Sequence, residues 1–206
     1  MICVPIKKKS LKSLLKDLLI AQKSADIIEI WFDELKINES GLNEIFDQAK
    51  KPILYKVTNQ SNFEYVLSFK PAYIDLDINT NLELMKKAKK ESPKTEIIIS
   101  YHNFEETPAN KDLKKIFSKI KKKGADIVKI STQANEFTDS LRILQFLSEN
   151  SGDTKLICIC MGEHGKITRA TGHLFANYLM YAPLSAKNKT APGQLTIEQI
   201  KIYNVT

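Results

Sequence analysis

Residues 96–131 read EIIISYHNFEETPANKDLKKIFSKIKKKGADIVKIS. A β-branched run, Glu96–Tyr101, is followed by an amphipathic stretch with helical spacing, Asn110–Lys123, and by a second apolar run, Asp126–Ser131. Working outward, the same strand–helix unit recurs along the chain. Further strands are predicted at Met1–Ile6, Asp26–Phe32, Ile53–Val57, Tyr73–Ile78, Lys155–Met161 and Met180–Leu184. Further helices are predicted at Ser10–Ser24, Gly41–Lys50, Ser61–Phe69, Asn81–Glu91, Glu136–Asn150, His164–Tyr178 and Thr196–Tyr203. Repeated strand–helix units imply parallel strands joined by right-handed crossovers. Eight of them are the number that closes a (β/α)8 TIM barrel. The alternative, an open doubly wound sheet, is expected to carry a glycine-rich first turn, and Val4-Pro5-Ile6-Lys7 has none. No Pro/Ser-rich linker interrupts the units, so residues 1–206 are expected to form one α/β barrel domain.

Composition narrows the class of molecule. The chain is 43% hydrophobic and 27% charged, which excludes collagen-like and disordered classes. No apolar run is long enough to span a bilayer, and Met1–Ser10 lacks the apolar region of a signal peptide, so no membrane role and a cytoplasmic location are expected. Cys3, Cys158 and Cys160 do not form a disulfide framework, and without a second ligand cluster the last two read as core thiols rather than a metal site. A net charge of +7 could attract nucleic acid. However, Arg142 and Arg169 are the only arginines among 31 cations, and lysine runs such as Lys119–Lys123 look like solvated helix faces. Nucleic-acid binding is not expected.

In a barrel, chemistry sits at the C-terminal ends of the strands, so polar residues on apolar strands carry the information. Lys129 lies in the middle of the sixth strand. Burial lowers a lysine's pKa, and a partly neutral amine can condense with a ketone; a lysine snorkelling outward is the competing reading. His102 closes the fifth strand, where an imidazole titrating near neutrality could shuttle protons beside that amine. His164 and His173 read as surface or packing residues. Glu29 and Trp31 share one face of the second strand, and Lys56 and Thr58 share one face of the third. Asp75 and Asp77 on the fourth strand could equally cap or form ion pairs. Arg169 enters the seventh helix with a guanidinium suited to a carboxylate, and Gln194 follows the turn after the eighth strand. Lysine, histidine, arginine and glutamine from four consecutive units point to imine chemistry on a small anionic ketone.

These residues resemble the type I 3-dehydroquinate dehydratases of the shikimate pathway, over essentially the whole chain. The resemblance rests on Ala25–Glu29, Ser100–Phe104 with Thr107-Pro108, Gly124–Ile130, Met161–Arg169 and Pro192-Gly193-Gln194. It implies a homodimeric (β/α)8 lyase of aromatic amino acid biosynthesis with no metal or organic cofactor. Lys129 would form a Schiff base with 3-dehydroquinate, and His102 would act as general acid and base on the way to 3-dehydroshikimate. Arg169 would hold the substrate carboxylate, with Glu29, Gln194 and Thr190 at its hydroxyls. The departures from the family pattern cluster in one region: Trp31 and Thr58 stand where the family has arginines, and Asn62 where it has the glutamate that orients the histidine. Lys56, one layer below Thr58, is placed to compensate and to lower the Lys129 pKa as a like charge. A Schiff-base lyase or aldolase for another ketone, and a drifted non-catalytic paralogue, are the alternatives.

Overall fold

The computed structural model describes residues 1–203. Strands and helices alternate as β1 (Ile2–Ile6), α1 (Leu11–Ala21), β2 (Ile27–Ile30), α2 (Glu39–Gln48), β3 (Ile53–Lys56), α3 (Phe63–Ser68), β4 (Tyr73–Asp77), α4 (Leu82–Glu91), β5 (Glu96–Asn103), α5 (Asn110–Lys122), β6 (Ile127–Gln133), α6 (Phe137–Asn150), β7 (Lys155–Met161), α7 (Lys166–Thr171), β8 (Met180–Tyr181) and α8 (Ile197–Tyr203). The periodicity that predicts α5 is the one it uses: Leu113 and Ile120 are buried, Ile116 and Phe117 pack beside them, and the lysines between point away.

All strand pairs are parallel, in the order β7-β6-β5-β4-β3-β2-β1-β8. No ladder joins β7 to β8 among the described residues; the seam there closes through Tyr178 N–H donating to Leu156 O at 2.9 Å and Asn177 Oδ1 accepting from Cys158 N–H at 2.9 Å. The interior is nevertheless filled as in a closed barrel. Cys3, Ile27, Leu54, Ile98, Ile127, Ile157 and Tyr181 form one buried cluster, with Tyr73 packed against it, so every strand contributes a side chain. Leu54 and each of those isoleucines, removed from water, is worth about 1.5–3 kcal/mol. The opposite faces of the strands, including Cys158 and Cys160, pack against the helices. Both thiols are pushed up by burial, as inert core cysteines are.

The boundaries differ from expectation where the site lies. β5 and β6 run two residues further than predicted, because their ladder continues through His102↔Ser131 and Asn103↔Thr132. His102 therefore stands within a strand rather than at its end. β8 is only two residues long, since the chain reaches Pro183, which offers no N–H to a ladder. The seventh helix ends at Thr171 and continues as a 3-10 turn, Gly172–Phe175, stopped by Ala176 in the left-handed region at φ 61°. The last three positions of the expected 1–206 domain lie outside the described residues.

Candidate active site

One step above the apolar layer, the inward positions become polar. Register aligns Lys56 with Asp75, Asp77 with Ser100, and Ser100 with Lys129, so strands β3 to β6 carry a continuous polar belt. Asp75 is fully buried at its centre. Its Oδ2 accepts from Lys129 Nζ at 2.7 Å, while Oδ1 accepts from Lys56 Nζ at 2.9 Å and Ser100 Oγ at 2.6 Å. Lys56 also donates to Ser100 Oγ at 3.1 Å, and Lys129 to Tyr181 Oη at 3.1 Å. Glu29 Oε2 lies 3.8 Å from Lys129 Nζ and has no hydrogen-bond partner.

Lys129 thus points into the barrel, which disposes of the snorkelling alternative. The expected depression of its pKa is not found. Burial pushes the ammonium down, but the carboxylates of Asp75 and Glu29 outweigh it, and the net direction is upward. The same attraction acts on Asp75: burial favours its neutral form, yet Lys129 and Lys56 hold it well below the usual carboxylate range. The bland reading of Asp75, ion pairing, is what organises the site.

Above this belt opens a cavity of about 400 Å³, of the size that holds a small molecule. Lys129, His102, Glu29, Arg169, Gln194, Thr190, Trp31 and Thr58 all line it, together with Lys56, Asp77, Ser131, Tyr181 and the apolar side chains of Phe104, Ile159 and Met161. His164 is exposed and His173 lies outside the cavity, in keeping with surface and packing roles.

His102 stacks on Phe104, ring centroids 6.0 Å apart. It does not titrate near neutrality: burial, then the ammonium groups of Lys56 and Lys129, push it down to about 3. The Asn62 side-chain amide is engaged by the backbone, donating to Phe32 O at 2.7 Å. Arg169 is 2% exposed, and its Nε donates to Cys160 O at 3.0 Å. Its Nη2 is buried without a partner, and burial pushes the guanidinium down to about 10. An unpartnered buried cation on a cavity wall is a place for an anion.

At the rim, Trp31 Nε1–H donates to Glu29 Oε1 at 2.9 Å. A cation is also present there: Lys7, just beyond β1, sits 4.3 Å from the Trp31 ring centre and 3.2 Å from Glu34. Thr58 donates through Oγ1 to Asp33 at 3.3 Å. Gln194 is buried and organises its own loop, its Oε1 accepting from Thr190 N–H at 2.8 Å and its Nε2 donating to Thr190 Oγ1 at 3.1 Å. That loop rests on the end of β7, where Gly193 at φ 75° comes so close to Gly162 that a Cβ would lie 2.2 Å from the Gly162 carbonyl oxygen.

Asp33 is the structural residue that sequence reasoning missed. It accepts from Tyr55 Oη at 2.5 Å and from the backbone N–H groups of Thr58, Asn59, Gln60 and Asn62 at 2.7–3.3 Å, pinning the β3–α3 loop over the cavity. Although burial favours its neutral form, these donors hold its carboxyl below the ordinary range. A carboxylate two residues past the Glu29–Trp31 pair was the available signal. Among the described residues no cluster of three or more His, Cys, Asp or Glu is placed to hold a metal ion.

The molecule is therefore a (β/α)8 barrel whose chemistry-bearing side chains converge on one cavity at the C-terminal rim. Its relatives narrow that class. The family model for type I 3-dehydroquinase matches residues 2–205, and the chain belongs to that family. A 3-dehydroquinate dehydratase from Methanococcus maripaludis is 34% identical, the match covering 98% of this chain and 97% of that protein. One from Methanocaldococcus jannaschii is likewise 34% identical, over 98% and 96%. The crystal structure of 3-dehydroquinate dehydratase from Geobacillus kaustophilus superposes with a TM-score of 0.86 at 21% identity, covering 98% of this chain and 88% of that one.

Proposed function

We propose that this protein is a hydro-lyase that dehydrates 3-dehydroquinate to 3-dehydroshikimate through a Schiff base on Lys129. The observation that carries the reading is a lysine amine buried inside the barrel yet opening onto the cavity that also holds a neutral imidazole and an unpartnered guanidinium. Neutral Lys129 Nζ attacks the C3 ketone carbon, and the former carbonyl oxygen leaves as water, giving an iminium. The iminium withdraws electrons from the adjacent C2, whose proton passes to His102. The electron pair left at C2 then expels the C1 hydroxyl, which takes that proton and departs as a second water. Water re-enters at the iminium carbon, releasing the product and restoring the amine.

The remaining roles follow the geometry. Arg169 Nη2 takes the substrate carboxylate; Glu29, Thr190 and Gln194 face its hydroxyls; Trp31 and Thr58 line the wall where the family has arginines. No resident cofactor is required by this chemistry. Homodimer assembly accompanies the reading as an expectation carried over from the resemblance, and a cytoplasmic location as one drawn from the sequence. The missing rim arginines favour, as a second reading, the same imine chemistry on a less anionic ketone.

The test is borohydride trapping. The protein is mixed with 3-dehydroquinate, reduced, digested and analysed by mass spectrometry. An adduct on Lys129, absent in Lys129→Ala, is expected, together with release of 3-dehydroshikimate before reduction. A folded protein that yields neither would overturn the dehydratase reading; adducts with other ketones alone would select the second.

A further inference from the structure

Lys56 is a second buried cation that the proposed reaction leaves without a task. Its side chain is 12% exposed, lines the cavity and points at the same carboxylate as Lys129. Asp75 is bridged, one oxygen to each ammonium, with Ser100 holding Lys56 and Asp75 together. An amine that must act as a nucleophile cannot remain an ammonium, and a fully buried carboxylate cannot remain charged without a counter-ion. Were Lys129 the only partner of Asp75, its deprotonation would strand that charge. With Lys56 in place, Asp75 stays paired after Lys129 has given up its proton.

We propose that Lys56 is a positioning residue for imine formation: by holding the Asp75 carboxylate through Oδ1, it frees Lys129 to leave that carboxylate as a neutral amine. The inference rests on the reading of Lys129 as the imine-forming group. The other groups that face Lys129 are Glu29 from β2 at 3.8 Å, the Tyr181 hydroxyl from β8 at 3.1 Å, the Cys3 thiol from β1, and His102 from the adjacent strand β5. Glu29 holds the proton on Lys129, and the Tyr181 phenol and Cys3 thiol are both pushed up by burial, so they are neutral and supply no cation. His102 is neutral as well. Lys56 is thus the one neighbour in this group whose charge opposes the ammonium form of Lys129.

The experiment measures the pH dependence of Lys129 labelling by formaldehyde and cyanoborohydride, followed on the Lys129 peptide by mass spectrometry. It needs no turnover of dehydroquinate. Lys56→Met and Lys56→Gln are expected to move the labelling curve to higher pH by about one unit or more, with Lys56→Arg close to wild type. Lys56→Gln matters because it keeps hydrogen bonding to Asp75 while removing the charge, and circular dichroism checks that each variant folds. Unchanged curves in both neutral variants would overturn the inference while leaving the imine reading intact. A wild-type Lys129 that is never labelled, while surface lysines are, would overturn the imine reading and this inference with it.

Discussion

The low pKa of His102 makes a prediction that can be worked through in numbers. Its ordinary value of 6.5 is pushed down to about 3, first by burial and then by Lys56 and Lys129. Between those values the unfolded chain carries a proton on His102 that the folded protein does not. Stability is therefore fully present above the ordinary value and falls as pH is lowered through the window, by about 1.4 kcal/mol for each pH unit. From well above the ordinary value down to pH of about 4.5 the expected loss from this one side chain is about 2.7 kcal/mol. Stopping at about 4.5 keeps above the ordinary carboxylate range, so Asp33 and Asp75, both held below it, contribute little. Urea unfolding followed by the fluorescence of Trp31, the only tryptophan, measures the loss in wild type and in His102→Asn. The wild type should lose about 2–3 kcal/mol more than the variant on acidification. Equal losses, or a His102 proton NMR titration with a midpoint near 6.5, would refute the reasoning. The result bears on mechanism, because an imidazole that is neutral in the free protein is ready to accept the C2 proton. Once protonated it is a strong acid toward the departing hydroxyl, at the cost of being a weak base.

Three further outcomes are expected. Arg169→Met should lower kcat/KM for dehydroquinate by roughly 30-fold to several-thousand-fold, corresponding to about 2–5 kcal/mol, since it removes the buried guanidinium whose Nη2 lacks a protein partner; a change under about threefold in steady-state assays would place the carboxylate elsewhere. Asp33→Asn should destabilise the protein by about 2–3 kcal/mol in denaturant titrations, because an amide oxygen cannot replace both carboxylate oxygens for the six donors they serve. Since the Asp33 carboxyl is held low, its stabilisation is present above the ordinary carboxylate pKa and fades as pH falls through the folded value; the variant should lack that fading. Gly193→Ala should cost about 1–3 kcal/mol and raise KM more than it lowers kcat, because a Cβ there drives the loop bearing Thr190 and Gln194 off Gly162.

Periodicity alone determined that eight strand–helix units follow one another, because the alternation of β-branched runs with amphipathic stretches is a local property of the chain. Strand parity then put Glu29 with Trp31 and Lys56 with Thr58 on common faces, and the barrel rule directed attention to the ends of the strands; the residues so chosen do meet in one cavity. Local pattern could not set the inter-strand register that puts Lys56 beside Asp75 and Ser100 beside Lys129, and that placement reversed two expectations. Lys129 was expected to lose affinity for its proton through burial and instead gains it, because a carboxylate 54 positions away in sequence lies 2.7 Å from it. His102 was expected to titrate near neutrality and is driven far lower, first by burial and then by two lysines from other strands that face the same space. The clamp at Asp33 was likewise invisible in the chain, since it depends on where a distant loop comes to rest. The sequence by itself determined which side chains would occupy the barrel mouth, because parity and order are written along the chain. Only the tertiary structure decided their charge states, because electrostatic energies depend on distances and burial that exist only once eight strands have closed on one another.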